Sequence, residues 1–323
     1  MRRVLGLVFT GLGAFFFVLA LLLRFYLPGQ LVKFPLNQYL VTTLQGRASY
    51  FSQKELRELT GVSARATSTI VGDVSAGSSS VAVWTEFTAV EDLGNRAPIE
   101  YLTQRSGFGR RSGAVADCCG AYVSISNVGT SRAAQSGQGF VWPVGVQKQD
   151  YQVFDPVLRK PEPYRYAGTS AVDGMTADKF VEHVANQQFA SQTLPGSLVG
   201  FPGLPSLTLP EYLTETNTFW VDPVTGAPLK ATEDQKWSLA DITGATRLVL
   251  YQGSLTATPH SVASAVSTAR SAHRKVELIE DIGPLVGVLL GVALLVLGIT
   301  LTVSRPDSDQ FHYDSDEPVG STT

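Results

Sequence analysis

Two uncharged apolar runs, one near each end, constrain this chain more than any other feature. Residues 4–23 and residues 282–304 contain no charged side chain. About 20 residues at a helical rise of about 1.5 Å each span a hydrocarbon core of about 30 Å. Each run is therefore predicted to be a transmembrane helix. A cleaved signal peptide is the alternative for the first run, and a buried helix of a soluble domain is the alternative for the second.

The charges beside the two runs predict how the chain crosses the membrane. Arg2 and Arg3 precede the first run, and positive charge favours the cytoplasmic side. Basic residues before the second run argue weakly for the opposite orientation, but Glu277 and Asp281 lie close to the membrane there. We therefore expect a plasma-membrane protein with two spans, both termini in the cytoplasm and the intervening domain outside it, with the lipid bilayer as its first partner.

Glycines form a row along the second run. Gly283, Gly287 and Gly291 recur at every fourth position, a spacing that lets another helix approach closely. One hypothesis is that the rings of phenylalanines 15–17 pack into this row. The alternative is that the row pairs with the same row of a second chain, which would make the protein a homo-oligomer.

The segment between the spans has the pattern of a β-rich domain. Residues 80–87, 99–103, 236–240 and 246–251 read as strands, and residues 109–113 and 222–226 have turn compositions. The predicted fold class is α+β, with a mostly antiparallel extracytoplasmic sheet domain between two transmembrane helices. Similar turns in both halves indicate two related curved-sheet halves. The expected divisions are 1–26, 27–138, 139–257, 258–281, 282–304 and 305–323.

Three helical segments are predicted within or beside that domain. Ser52 and Glu55 form a capping-box pattern for a short helix over residues 53–60. Asp178 and His183 are placed on a second helix. Thr258 followed by Pro259 predicts a long amphipathic helix that reaches the membrane and kinks at residues 283–284. The acidic tail over residues 305–323 has little to bury and is predicted to be disordered.

Composition and motifs exclude several functions. The net charge of −3 offers no basic surface for nucleic acid, so no nucleic-acid partner is expected. The four histidines and two cysteines have no metal-ligand spacing, and we expect neither a metal site nor a cofactor. The sequence contains no nucleophile-elbow, Walker or zinc-protease motif, and the protein is not expected to be an enzyme.

Cys118 and Cys119 are the only cysteines, and they are adjacent. In an oxidising compartment adjacent cysteines can close a vicinal disulfide. Free buried thiols and bridges between chains are the alternatives that the sequence leaves open.

The segment over residues 189–210 (the apolar segment) is rich in large apolar side chains and prolines. No charged residue other than His183 lies between Glu182 and Glu211. Long loops of this kind are often functional. The segment could pack on the sheet for stability, admit a lipid acyl chain or meet a partner protein. Its candidate ligand-binding residues are Leu194, Leu198, Phe201, Leu204 and Leu207.

Four stretches of the chain resemble the PorA family of actinobacterial porins. They are residues 111–119 with the paired cysteines, residues 140–151, residues 154–156 and residues 220–226. Gly109 departs from the acidic residue that is more frequent in the family at that place. A weaker likeness, over about 60 residues, is to periplasmic lipoprotein-carrier folds, whose curved sheets close over a lipid cavity.

The family resemblance implies a pore. A transmembrane β-barrel needs about eight or more tilted strands with an apolar outer face, and the strands here are irregularly spaced. Two helices would line a pore only in an oligomer. The expected function is therefore binding of a lipid or other apolar envelope component, or a structural role in the envelope. An oligomeric porin-like channel component is the alternative.

Overall fold

The protein forms two compact units in a computed structural model that describes residues 2–26, 32–132, 134–278 and 282–303. The two terminal segments make one unit, and the chain from Gln30 to Val276 makes the other. The helices are α1 (Arg2–Phe25), α2 (Pro259–Glu277) and α3 (Gly283–Val303), with a short 3-10 helix at Gly196–Val199.

Helices α1 and α3 are long and apolar enough to cross a membrane. The two candidate spans are Val4–Phe25 and Gly283–Val303, which match both apolar runs of the sequence. Their length and composition support a membrane protein. The side of the membrane on which the domain and the termini lie stays a prediction.

Small residues set the contact between α1 and α3. A Cβ added to Gly291 would lie 3.0 Å from the carbonyl oxygen of Gly13, and one added to Gly287 would lie 3.0 Å from the Cβ of Ala20. The glycine row therefore faces α1 of the same chain. Backbone atoms of Phe16 and Phe17 and the Cβ of Phe17 lie beside Gly287 and Gly291, whereas Phe15 and Phe17 are 60% and 38% exposed. Close contact between the helix backbones is therefore what the row allows, and packing of the aromatic rings into it stays a prediction.

The second unit is built on one sheet of thirteen strands. The strands are β1 (Tyr39–Ser52), β2 (Arg57–Gly72), β3 (Val81–Asp92), β4 (Pro98–Gly109), β5 (Val115–Ala116), β6 (Tyr122–Ile125), β7 (Gly129–Ser131), β8 (Tyr151–Asp155), β9 (Lys160–Val172), β10 (Met175–Leu194), β11 (Leu207–Val221), β12 (Pro228–Ala240) and β13 (Thr246–Ala257).

The sheet is an antiparallel meander in which the first and last long strands are neighbours. The order is β7-β6-β4-β3-β2-β1-β13-β12-β11-β10-β9-β8, with β5 beside β4. β1 pairs with β13 from Leu44 opposite Ala257 to Tyr50 opposite Tyr251. The α+β class with a mostly antiparallel sheet between two apolar helices is therefore confirmed.

Residues 137–139 link the two outer regions of this sheet, β8 on one side and β5 with β4 on the other. The backbone N–H of Gln138 donates to Gln152 at 2.7 Å, and its carbonyl accepts from Phe154 at 2.8 Å. On the other side Val115 of β5 donates to Gly137 at 2.8 Å. Backbone hydrogen bonds thus continue from β8 through this segment to β5 and β4, and the sheet curls around an interior. The expectation of irregular, widely separated strands was wrong, because long polar stretches lie within strands.

The outward face of the sheet is polar where its strands are longest. On β11 the outward residues include Thr214 and Thr216, and on β12 they include Asp234 and Lys236. An apolar band facing lipid would require the opposite pattern at these positions. These strands therefore suit water at these positions.

Helix α2 packs its apolar face into the main core. Val262, Val266 and Ala269 are buried in the same cluster as Met175 and Leu255. The helix begins at Pro259 as predicted, and Thr258 Oγ1 accepts from the N–H of Ser261 at 3.3 Å. The predicted continuation toward residues 283–284 crosses residues 279–281, and the acidic tail begins after residue 303; both lie outside the described residues.

Two of the helices predicted from local signals are strands or turns. Ser52 Oγ accepts from the N–H of Glu55, as a cap would, but Leu56 takes a left-handed φ of 50° and Arg57 pairs back with Ser52. Asp178 and His183 lie on β10. Strand pairing outweighs local helix propensity at both places. The predicted boundary at residue 138 falls within the segment that links the sheet, and the division into two halves stays a prediction.

Candidate functional site

The buried charged side chains of the described residues are all acidic. Each is at most 8% exposed, and within the described ranges no lysine, arginine or histidine is buried to the same extent. They are Asp92, Asp155, Glu162, Asp178, Glu182, Glu211, Glu215, Asp222 and Asp241. Buried charge without a partner is costly, so the surroundings of each carboxylate decide what it does.

Some of these carboxylates shape turns. Asp222 accepts from the N–H of Thr225 at 3.1 Å and meets Nε2 of His273 at 2.8 Å. Asp241 accepts from Thr243, and its carboxylate meets the guanidinium of Arg247 at 2.6 Å. These hydrogen bonds hold the pKa of Asp241 well below its usual range. Such carboxylates are explained by the turns that they stabilise.

The other carboxylates point into the sheet from its long strands. Alternation along β11 puts Leu209, Glu211, Leu213, Glu215 and Asn217 on the buried face. The pairing of β10 with β11 sets Glu182 opposite Asn217, and the pairing of β11 with β12 sets Glu215 opposite Gln235. The register therefore collects acidic and amide side chains in the interior.

Asp155, Glu182 and Glu215 (the carboxylate cluster) form the tightest acidic group. One oxygen of each lies within 4.8 Å of the others, and all three residues are buried. Asn217 Nδ2 donates to Glu182 Oε2 at 2.8 Å, and Gln235 Nε2 donates to Glu215 Oε2 at 3.0 Å. Among the described residues no ion pair joins a basic side chain to this cluster.

Burial changes the acidity of the cluster. It raises the pKa of Glu182 to about 7, and the negative charge of Asp155 adds to the effect. Burial, followed by the charge of Asp155, raises the pKa of Glu215 well above its usual range. The pKa of Asp155 is raised by burial too. The charged form of each carboxylate is disfavoured unless positive charge is supplied, and protonation is the alternative way to remove the repulsion.

A second set of acidic residues lies across the same interior. Burial and the charge of Glu211 raise the pKa of Glu100 to about 9. Burial and the charge of Glu86 raise the pKa of Glu233 to about 7. Burial also raises the pKa of Glu211 to about 7. Glu100 on β4 and Glu211 on β11 are far apart in the strand order, so they meet through the curl of the sheet.

The carboxylate cluster and this second set, which consists of Glu86, Glu100, Glu211 and Glu233, together form the acidic interior. Sequence reasoning missed it, because the search for metal ligands considered only histidine and cysteine spacing. Leucine and glutamate alternate at every second position over residues 209–215, and this pattern was an available signal. The assembly of Asp155, Glu182 and Glu215, however, depends on a strand register that no local pattern shows.

The apolar segment is strand at its two ends. β10 continues to Leu194 and β11 begins at Leu207, which leaves a connection over residues 195–206. Leu194, Phe201 and Leu207 pack around Val199, Leu209 and Leu239 in a small cluster. Leu198 is half-buried, and Leu204 is 46% exposed. Packing on the sheet for stability therefore describes Leu194, Phe201 and Leu207. Ligand binding by the five candidate residues stays a prediction.

The adjacent cysteines are joined in a vicinal disulfide between Cys118 and Cys119. Cys119 has a left-handed φ of 66°, and Arg105 Nε donates to its carbonyl at 3.2 Å. A Cβ on Gly107 would lie 2.6 Å from the sulfur of Cys118, so glycine makes room for the bridge. The pair is half-buried beside β4.

The stretch at residues 140–146 ties together the two turns that the sequence singled out. The N–H of Trp142 donates to the carbonyl of Gly226 at 2.9 Å, and that of Val144 donates to Arg111 at 2.8 Å. A Cβ on Gly226 would lie 2.3 Å from the carbonyl oxygen of Trp142, so only glycine fits there. These separated motifs therefore form one structural unit.

The family model described as Porin PorA matches residues 5–300. The chain belongs to the PorA porin family. No curated protein matches it. The match confirms the resemblance carried by the paired cysteines and the two turns, and it covers both apolar helices and the whole sheet. Membership of this family supports a porin-like role in a membrane.

Proposed function

We propose that this PorA-family chain is a non-enzymatic subunit of an oligomeric, porin-like channel of the cell envelope that prefers cations. The observation that carries the proposal is the acidic interior, in which Asp155, Glu182, Glu211 and Glu215 are buried and Glu100 and Glu233 are partly buried. Carboxylates that line a path attract cations and repel anions. Family membership supports a channel, and the acidic charges of the interior support a preference for cations over anions.

The spans support an oligomer. Segments 4–23 and 283–303 carry no charged residue, and small residues of α1 and α3 face each other. One such helix pair offers ions no polar lining. Several chains would have to assemble to enclose a conducting path. Homo-oligomerisation through another face of the helix pair meets this requirement.

Protonation gives the proposal a pH dependence. The pKa values of Glu182, Glu211 and Glu233 are each raised to about 7 by burial. Their negative charge therefore grows between about pH 6 and pH 8. Cation preference is expected to strengthen over the same interval.

The test is a planar-bilayer recording of the full-length protein in a KCl gradient. Glu233→Gln removes an interior charge, and Asp234→Asn removes the outward charge of the next residue on β12. We expect conductance steps with a reversal potential on the potassium side, reduced by Glu233→Gln and unchanged by Asp234→Asn. Absence of steps, or a preference for chloride, would overturn the proposal.

Binding of an envelope lipid at the apolar segment is the second candidate, and it rests on the exposure of Leu204. Lipid extraction and mass spectrometry of the purified protein, with uptake of a fluorescent fatty acid, test it. Leu204→Ser should lower uptake if the segment admits acyl chains. Lipid-free protein that takes up no fatty acid would exclude this candidate.

A further inference from the structure

We propose that Asp155, Glu182 and Glu215, together with the side-chain oxygen of Asn217, bind a calcium ion within the curled sheet. This inference goes beyond conduction, since a site can hold a structural ion whether or not ions pass through the protein. It starts from the spacing of the three carboxylates.

The spacing suits a calcium ion. One oxygen from each carboxylate lies within 4.8 Å of the other two. Calcium binds oxygen at about 2.3–2.6 Å, so ligands on opposite sides of the ion are separated by about 5 Å. Three oxygens within this limit can share one ion without a change of backbone.

The oxygens without partners are the second observation. Asp155 Oδ1 accepts from the N–H groups of Val157 and Leu158 at 2.7 and 2.9 Å, whereas its Oδ2 has no partner. Glu182 Oε1 and Asn217 Oδ1 have no partner at normal hydrogen-bond geometry either, although the Tyr164 hydroxyl lies close enough to lower the pKa of Glu182. These three residues are 6%, 1% and 8% exposed. Buried acceptors normally have a partner, and a cation would satisfy several at once.

The contacts of Asn217 connect it to the cluster. Its Nδ2 donates to Glu182, and its position two residues after Glu215 on β11 places both side chains on the buried face. A neutral amide oxygen adds a ligand without adding negative charge. Calcium accepts such mixtures of carboxylate and amide oxygens.

The chemistry of the donors selects the ion. All four ligands are oxygen, whereas zinc favours nitrogen and sulfur. Magnesium retains several waters and needs near-octahedral geometry, which a buried site with protein ligands does not favour. Glu162 lies nearby, but Lys160 Nζ meets its carboxylate at 2.8 Å. The cluster thus presents three negative charges to a divalent ion. The competing explanation for three carboxylates in such close contact is that they share a proton.

The experiment titrates calcium chloride into full-length protein in detergent at pH 8, after a chelator has removed bound metal. Calorimetry should show one calcium per chain, with weaker binding of magnesium. Glu215→Gln should weaken calcium binding more than about 10-fold, because even outer residues of metal sites cost about that much. Glu211→Gln, an interior variant on the same strand and face, should bind as the wild type does.

Thermal unfolding followed by tryptophan fluorescence gives a second readout. Calcium should raise the Tm of the wild type and of Glu211→Gln, and should leave that of Glu215→Gln unchanged. Glu215→Gln is expected to fold, because an amide removes like-charge repulsion from the cluster. Wild-type protein that neither binds calcium nor gains Tm would assign the cluster to a shared proton only. An equal loss of calcium affinity in Glu215→Gln and Glu211→Gln would overturn the calcium site. Magnesium binding as tight as calcium binding in the wild type would overturn it too.

Discussion

The turn carboxylates and the interior carboxylates are equally buried, but they have different partners. Asp222 is fully buried and accepts from backbone N–H groups beside His273. Glu182 is 1% exposed, yet one of its oxygens has no donor and its neighbours are acidic. Burial alone therefore does not identify a functional carboxylate. A buried carboxylate that has one oxygen without a donor and no basic neighbour is a better candidate, because its charged form needs a bound cation to be stable.

The largest expected effect comes from a turn carboxylate. Asp222→Ala removes a fully buried acceptor and leaves the partly buried donors of Thr225 and His273 unpaired. We expect a loss of about 3–5 kcal/mol in the free energy of unfolding, measured by denaturant titration. A loss below about 1 kcal/mol would show that the turn does not depend on this carboxylate.

The pH dependence of stability should distinguish the two groups by sign. Burial raises the pKa of Glu182, Glu211 and Glu233 in the folded state to about 7. Their protonated forms then stabilise the fold below the unfolded pKa, and this stability is lost as the pH rises through 7. Asp241 has a lowered pKa, so its contribution is present above the unfolded pKa and is lost in acid.

In chelator, stability should therefore fall by about 2–4 kcal/mol between pH 5 and pH 8, as measured by chemical denaturation. Glu182→Gln should flatten this fall, whereas Asp241→Asn should change only the acid side of the profile. A stability that rises from pH 5 to pH 8 would contradict the assignment of raised pKa values to the interior.

Neutralising one interior carboxylate should stabilise the protein. Glu182→Gln keeps an acceptor for Asn217 and removes a buried charge that faces Asp155. At pH 8 in chelator we expect a gain of about 1–2 kcal/mol in the free energy of unfolding. A loss of stability would show that the charged form of Glu182 already has a partner.

The smallest effect is expected on the outward face of the sheet. Asp234 is exposed on the outward face of β12, beside Glu233 on the inward face. Asp234→Asn should change the free energy of unfolding by less than about 0.5 kcal/mol at any pH from 5 to 8. The same measurement on Glu233→Gln should show a gain in the free energy of unfolding at pH 8. Both variants remove one negative charge, so a difference between them is due to the face of the sheet on which the charge lies.

The same contrast explains what the sequence could predict. The apolar spans, the start of α2 at Pro259 and the turn at residues 222–226 depend on neighbouring residues, and local signals found them. The capping pattern at Ser52 failed, because pairing between β1 and β2 overrides it. The acidic interior was missed, since Asp155, Glu182 and Glu215 come from three strands and meet only through register and curl.

Reversal potentials at pH 8 test the central claim most directly, namely that the interior carboxylates make this porin-like protein prefer cations. Full-length wild type, Glu233→Gln and Asp234→Asn are compared in the same KCl gradient. The account predicts a potassium preference in the wild type and in Asp234→Asn, reduced in Glu233→Gln. Equal reversal potentials for all three proteins would contradict it.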